Sequence, residues 1–210
     1  MHWKHWESNS PKANQNIVKE AAEKVIEIFT IGHSNISSEE FLCLLKKHKI
    51  SLAADIRRYP GSHKFPHFNR EILCKTLTAE GIEYHWLESL GGRRGSIKNS
   101  ESPNKGFKSA SFRNYADYML TDEFSRAVKE LISMAMMKRC AVMCAEKLYW
   151  KCHRKVLSDY LFALGIKVHH IIDENQILPH KLTQGAIISE GPTVTYPFTI
   201  SKDSEQQLFG

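Results

Sequence analysis

The stretch AVMCAEKLYWKCHR, residues 141–154, joins an apolar run to a cluster of thiol and charged side chains. The run CAVMCAE, residues 140–146, is short and ends at a carboxylate, which is typical of a buried strand. A helix is predicted from about 151 to 164, because its apolar residues share one stripe and Gly165 is a natural C-cap. The stretch therefore predicts a buried strand that leads into a helix.

The same pattern of strand and helix recurs along the chain. Short apolar strands are expected at 27–34, 51–56, 82–87 and 167–172. Ser37 and Glu40 have capping-box spacing before one amphipathic helix, and Asn69 and Thr121 can cap two others. Because strands alternate with helices, the sequence predicts an α/β domain with a mostly parallel sheet and helices on both faces.

The length of the chain predicts its domain organisation, and its net charge bears on its partners. A chain of 210 residues suits one α/β domain, which we place at 25–175, between a polar tail or loosely attached helix at 1–24 and a C-terminal extension at 176–210. The formal net charge of +6 fits a solvated surface and a nucleic-acid partner equally well.

The location of the protein is predicted from its apolar runs and its cysteines. No apolar run approaches the roughly 20 residues of a membrane span, and the N-terminus has no signal-peptide core, so no membrane partner is expected. The five cysteines are odd in number, which favours reduced thiols over a disulfide framework. Both features predict a cytoplasmic protein.

Polar residues follow the predicted strands at their carboxyl ends, where sheets of this kind carry their sites. Asp55 ends the second strand, and Arg57 lies on the same side of an extended chain, so the two are expected to form a coupled pair. Asp55 is then either a catalytic carboxylate or one that only forms a salt bridge. Glu146 is the second carboxylate expected at this edge.

The turn LGGRR, residues 90–94, combines backbone freedom with two guanidinium groups. Glycine allows close approach of a ligand, and arginine matches the oxygens of a phosphate. The turn lacks the spacing of a nucleotide-binding loop. It is therefore either a phosphate contact or a plain turn with solvated arginines.

Cys144, Cys152 and His153 allow three interpretations. Zinc usually needs about four ligands with close paired spacings, and the chain contains no CxxC, so no metal is expected. A thiol at a helix start beside Lys151 and Arg154 would have a lowered pKa and could react. The third possibility is a core cysteine beside a hydrogen-bonded histidine.

Several pieces of the sequence together resemble a known family. IGHS, DIRRYPGSHKFPHFN, LGGRR, FRNYADYM and MCAEKLYWKCHR, in this order within roughly 27–175, resemble the family called domain of unknown function 488. The resemblance implies a Rossmann-like, three-layer α/β domain but no settled reaction. It implies these signature positions: Asp55, Arg57, Pro60, Ser62, Gly91, Gly92, Arg93, Cys144, Glu146, Cys152, His153 and Arg154.

These observations lead to one functional hypothesis and two alternatives. We expect a metal-independent, cofactor-free hydrolase directed at nucleic acid, most specifically one that removes damaged bases from DNA. Its expected catalytic groups are Asp55, Glu146 and His153. Substrate and phosphate contacts are expected from Arg57, Arg58, Ser62, Gly91, Gly92, Arg93 and Arg154. The alternatives are a thiol enzyme that acts on a small anion through Cys144 or Cys152, and a non-catalytic module that binds nucleic acid or nucleotides.

Overall fold

A computed structural model describes residues 26–96, 101–189 and 191–198, so the predicted tail at 1–24 lies outside the described residues. The strands are β1 (Glu27–Gly32), β2 (Leu52–Asp55), β3 (Glu83–Trp86), β4 (Cys140–Cys144), β5 (Lys167–Ile171), β6 (Ile177–Pro179), β7 (Ile187–Ile188) and β8 (Val194–Thr195). The α-helices are α1 (Ser38–Lys47), α2 (Arg70–Ala79), α3 (Ala110–Tyr118), α4 (Asp122–Met137) and α5 (Arg154–Ala163).

The main sheet has the strand order β3-β2-β4-β1-β5-β6. Its first five strands are parallel, and β6 runs antiparallel to β5. This confirms the predicted mostly parallel sheet. β4 lies between β1 and β2, with Gly32 opposite Cys144 and Asp55 opposite Met143. The carboxyl ends of these three strands therefore lie side by side.

Helices cover both faces of the sheet. One cluster of buried side chains joins Ile28 and Val142 to helices α3, α4 and α5. The other joins Phe29 and Ala141 to helices α1 and α2. Successive residues of a strand thus enter different cores, as the pleat of a strand requires. The fold is the expected Rossmann-like, three-layer α/β domain.

The helix ends test the predicted caps. The hydroxyl of Ser37 accepts a hydrogen bond from Glu40 N, and that of Thr121 accepts one from Phe124 N, as predicted. Asn69 does precede α2, but its side chain accepts instead from the backbone N of Ser62. Helix α5 begins at Arg154, after a 3₁₀ turn, so Cys152 and His153 lie before the helix.

The described residues beyond 175 pack on the domain through a buried polar network. The hydroxyl of Thr30 hydrogen-bonds to Nδ1 of His170 (2.8 Å), and Nε2 of His170 hydrogen-bonds to Nδ1 of His180 (3.0 Å). His180 in turn donates to Asp159 at 2.9 Å, and the hydroxyl of Tyr196 donates to the other oxygen of Asp159 at 2.7 Å. The network connects the sheet, α5 and the C-terminal segment.

This network predicts a loss of stability in acid. Burial, then the charges of His180, Arg154 and His169, lower the pKa of His170 from 6.5 to about 2. Below pH 6.5 the unfolded chain therefore binds a proton at His170 that the folded chain does not bind. The free energy of unfolding should be at its full value above pH 6.5 and should fall below it, by up to about 1.4 kcal/mol per pH unit.

Urea unfolding of the wild type and of His170→Gln between pH 7.5 and 5 measures this effect. The variant lacks the titrating imidazole, so its stability should fall less steeply. Equal slopes in the two proteins would contradict the prediction.

Candidate functional site

A cleft of about 800 Å³ opens at the carboxyl edge of the sheet. The loops after β1, β2 and β4, the glycine-rich turn after β3, the turn before α5 and helix α3 all border it. Its lining includes most of the predicted site residues: Arg57, Arg58, Ser62, Gly92, Arg93, Cys144, Glu146, Cys152 and His153. The adjacent strand ends thus bring together residues that are far apart in the sequence.

Asp55 lies behind Arg57 and is fully buried. Its carboxylate accepts from Nε of Arg57 at 2.9 Å and from the hydroxyl of Tyr84 at 2.6 Å. Burial opposes the charge of Arg57, but the hydrogen bonds and charge of Asp55 outweigh it, so the pKa of Arg57 is raised. The expected coupling of Asp55 and Arg57 is confirmed. Asp55 orients the arginine, and it is the arginine that lines the cleft.

Arg57 also contacts a histidine that the predicted site left out. Its Nη1 donates to the carbonyl of Phe68 at 2.8 Å and lies 3.4 Å from Nε2 of His33. His33 stacks on the Phe68 ring at 3.9 Å and lines the cleft. Burial, followed by the charge of Arg57, lowers the pKa of His33 to about 4, so the imidazole is neutral at pH 7. Its position directly after the first strand was the available sequence signal.

The two arginines of the glycine-rich turn point in different directions and make different contacts. Arg94 points into the turn, where it donates to the carbonyls of Gly91 (2.9 Å) and Ser89 (2.7 Å) and stacks over the Tyr118 ring. Arg93 has a positive φ of 57° and points to the exposed rim of the cleft. Among the described residues, no hydrogen bond or ion pair holds its guanidinium. Arg93 is thus available to a ligand.

The two glycines of this turn are needed for close packing. A Cβ at Gly92 would lie 2.8 Å from Nδ1 of His153, and one at Gly91 would lie 2.9 Å from Cα of Arg58. Gly92 lines the cleft, whereas Gly91 supports the neighbouring loop. Neither role needs a phosphate.

Arg154 holds the loop after β4 and is only 1% exposed. Its guanidinium donates to the backbone carbonyls of Glu146 and Lys147. A Cβ at Gly32 would lie 1.9 Å from the same carbonyl of Glu146, so the loop is fitted tightly against β1. The structure thus corrects the expected phosphate contact of Arg154: it shapes the loop. The side chain of Glu146 is exposed and lines the cleft.

Three side chains at the base of the cleft carry sulfur or imidazole. Sγ of Cys144, Sγ of Cys152 and a ring nitrogen of His153 all lie within 4.8 Å of one another, and Sγ of Cys152 is 3.5 Å from Nδ1 of His153. A hydrogen bond from Cys144 lowers the pKa of Cys152, and His153 and Arg154 lower it further. The same hydrogen bond and burial raise the pKa of Cys144.

A family model, "Domain of unknown function DUF488", matches residues 37–161. The chain belongs to this family. No curated protein and no solved structure gives a match.

Within the DUF488 domain, several signature positions now have a structural reason. Ser62 accepts from Phe65 N at 3.0 Å, and the carbonyl of Pro60 accepts from Arg70 N at 2.9 Å, so both shape the loop after β2.

Other side chains of the DUF488 domain line the cleft without having been predicted. They include two cations, Lys64 and Lys151, and the ring of Tyr59, which is 67% exposed. The sequence indicates Lys151 only as a charge beside a possible reactive thiol, and Tyr59 only as one of several aromatic residues that could stack on a base.

None of the helices in the described part of the chain is long and apolar enough to cross a membrane.

Proposed function

We propose that the DUF488 domain binds nucleic acid in the cleft and hydrolyses a bond in the bound strand. Removal of a damaged base from DNA is the most specific form of this proposal. The observation that carries it is the gathering of cations from several loops around one cleft that also contains a carboxylate. The cations are Arg57, Arg58, Lys64, Arg93 and Lys151, and the carboxylate is Glu146.

The cations are arranged as contacts to phosphates would require. Arg57 is held rigidly by Asp55, so its position is set before a ligand arrives. Arg93 has no partner among the described residues, and Arg58 reaches Glu88 at 3.3 Å through a partly exposed ion pair. The exposed guanidinium group of Arg93 and the partly exposed one of Arg58 can exchange solvent for phosphate oxygens, which dominate the affinity of proteins for nucleic acid.

The size and rings of the cleft suit an extruded nucleotide. A volume of about 800 Å³ lies in the range of small-molecule pockets. The exposed Tyr59 ring and the partly buried rings of Phe65 and Phe112 border the space. Enzymes that act on a base take it out of the duplex and stack it on such rings.

Glu146 is the group we assign to the reaction. In base removal the N-glycosidic bond breaks, and the base leaves with the bonding electrons and takes up a proton from solvent. A water oxygen bonds to C1′ of the sugar, and Glu146 accepts the proton of that water. Asp55 takes a positioning role here instead of the expected catalytic one, because Arg57 and Tyr84 occupy its carboxylate.

The decisive experiment is a gel screen of duplexes that carry different damaged bases. Each duplex is incubated with the full chain and then treated with alkali, which cleaves at abasic sites. Cleavage only at the damaged position supports base removal. Cleavage before alkali indicates a nuclease, and binding without any product in the whole set overturns the proposed hydrolysis.

The binding half of the proposal predicts the behaviour of Arg93→Ala. Loss of one phosphate contact should weaken binding to all duplex sequences alike and reduce the slope of log K against log salt by about 0.9. Filter binding or fluorescence anisotropy at several salt concentrations measures both effects. Arg126→Ala, which removes an exposed arginine from α4, is the matched control and should leave the slope unchanged. Equal slopes for Arg93→Ala and the wild type would exclude Arg93 as a phosphate contact.

A further inference from the structure

The proposed hydrolysis assigns the reaction to Glu146 and does not use the predicted catalytic role of His153. Cys144, Cys152 and His153 are therefore left without a role in it. They lie at the base of the same cleft, and their ligand atoms all lie within 4.8 Å of one another. Two thiols and an imidazole form a set of soft and borderline ligands, which favours zinc over magnesium or calcium.

One spacing within this set matches a tetrahedral ion, and the others lie within 4.8 Å. Zinc bonds to sulfur are about 2.3 Å long and those to imidazole nitrogen about 2.0–2.1 Å, so a tetrahedral site separates sulfur from nitrogen by about 3.5 Å. The distance from Sγ of Cys152 to Nδ1 of His153 is 3.5 Å. These two atoms are therefore already separated as two ligands of one tetrahedral ion would be.

The surrounding structure holds the ligands in place and leaves one side open. Cys144 ends β4 and Cys152 follows a 3₁₀ turn, and Arg154 ties the intervening loop through the carbonyls of Glu146 and Lys147. The absence of a side chain at Gly92 leaves room beside Nδ1 of His153, since a Cβ at Gly92 would lie 2.8 Å from that nitrogen. All three ligand residues line the cleft.

We propose that Cys144, Cys152 and His153 bind one thiophilic divalent cation, with Zn²⁺ as the best fit. The two cysteines bind as thiolates, so binding releases the protons that their thiols carry. Three protein ligands leave a fourth position open toward the cleft, which is the pattern of catalytic zinc sites. The metal site itself does not depend on the proposed hydrolysis. Its use in lowering the pKa of a bound water does rest on the proposed function.

Cobalt binding to the full chain tests the site without any assay of activity. The protein is reduced with a phosphine, stripped with a chelator and titrated with Co²⁺. We expect one equivalent to bind and to give a thiolate-to-cobalt charge-transfer band that Zn²⁺ abolishes by competition. Absence of the band in the wild type overturns the proposal.

Variants show whether these three residues are the ligands. Cys144→Ser and Cys152→Ser should each lose the band and weaken Zn²⁺ binding by more than about 100-fold, since even outer-shell changes cost about 10–100-fold. Cys74→Ser, which removes a half-exposed thiol from α2, is the matched control and should keep both. A full band in both site variants would place the ion elsewhere and overturn the assignment.

A further variant keeps the proposal testable if the serine variants do not fold. Gly92→Ala retains all three ligands but places a methyl group against Nδ1 of His153. It should weaken Zn²⁺ binding while circular dichroism reports an unchanged fold. Wild-type affinity in a folded Gly92→Ala protein would contradict the predicted role of Nδ1.

Metal binding and base removal can fail separately. Zinc-loaded protein that shows the cobalt competition but releases no base retains the metal site and refutes the proposed function. Base release by a protein that never binds cobalt refutes the metal site and retains the hydrolase.

Discussion

Replacement of Arg57 by alanine is expected to lower the free energy of unfolding by about 3–5 kcal/mol. Arg57 and Asp55 are both buried, and the variant would leave the carboxylate of Asp55 without its ionic partner. The hydroxyl of Tyr84 and the backbone N–H of residue 57 would remain as hydrogen-bond donors, but two neutral donors cannot balance a buried charge. Urea unfolding at pH 7 measures the loss.

Two further variants separate this effect from a general loss of side-chain contacts. Arg58→Ala removes the next arginine, which is partly exposed, and should cost less than about 1 kcal/mol. The double variant Asp55→Ala with Arg57→Ala should be more stable than Arg57→Ala alone, because no unpaired charge remains. A double variant that is less stable than the single one would disprove the pairing argument.

Glu146→Gln is expected to reduce base removal by about 10²–10⁴-fold, the contribution of a general base. The amide keeps the size of the side chain but cannot accept a proton from water. Because the side chain is exposed, stability should stay within about 0.5 kcal/mol of the wild type. Single-turnover rates on the duplex identified in the screen measure the loss, and anisotropy verifies that binding is retained.

The matched control is Glu130→Gln, which changes an exposed carboxylate on α4 and should react at the wild-type rate. If Glu146→Gln also reacts at the wild-type rate, Glu146 does not activate the water. Glu146 would then contribute only to the shape or the electrostatic potential of the cleft.

Local sequence patterns were enough to predict the sheet, most caps and one part of the site. Ser37 and Thr121 cap their helices through their own side chains, and Asp55 meets Arg57 two residues away. These contacts depend on neighbours in the chain, so spacing indicates them. Helix α3 escaped prediction, and Asn69 makes a loop contact instead of the expected cap.

The direction and partners of each arginine side chain could not be predicted in the same way. Arg93 and Arg94 are adjacent, yet a positive φ turns one toward the cleft while backbone carbonyls hold the other in the turn. The position of the Arg154 guanidinium likewise depends on the loop after β4, because it donates to the carbonyl of Glu146. That carbonyl fits against β1 only because Gly32 has no side chain. The sequence argument against a metal relied on the number of ligands and the lack of a CxxC motif, but folding of this loop brings Cys144, Cys152 and His153 close together.

The central place of β4 also constrains how the chain can fold as it is synthesised. β1 and β2 emerge from the ribosome early, yet each pairs with β4, whose first residue is Cys140, well over half-way along the chain. Until β4 arrives, β1 and β2 have strand edges with no partner, and such edges favour aggregation. Contacts so distant in sequence also slow folding. A nascent chain cut short before Cys140 should therefore need chaperone protection, and the sheet should form only late in translation.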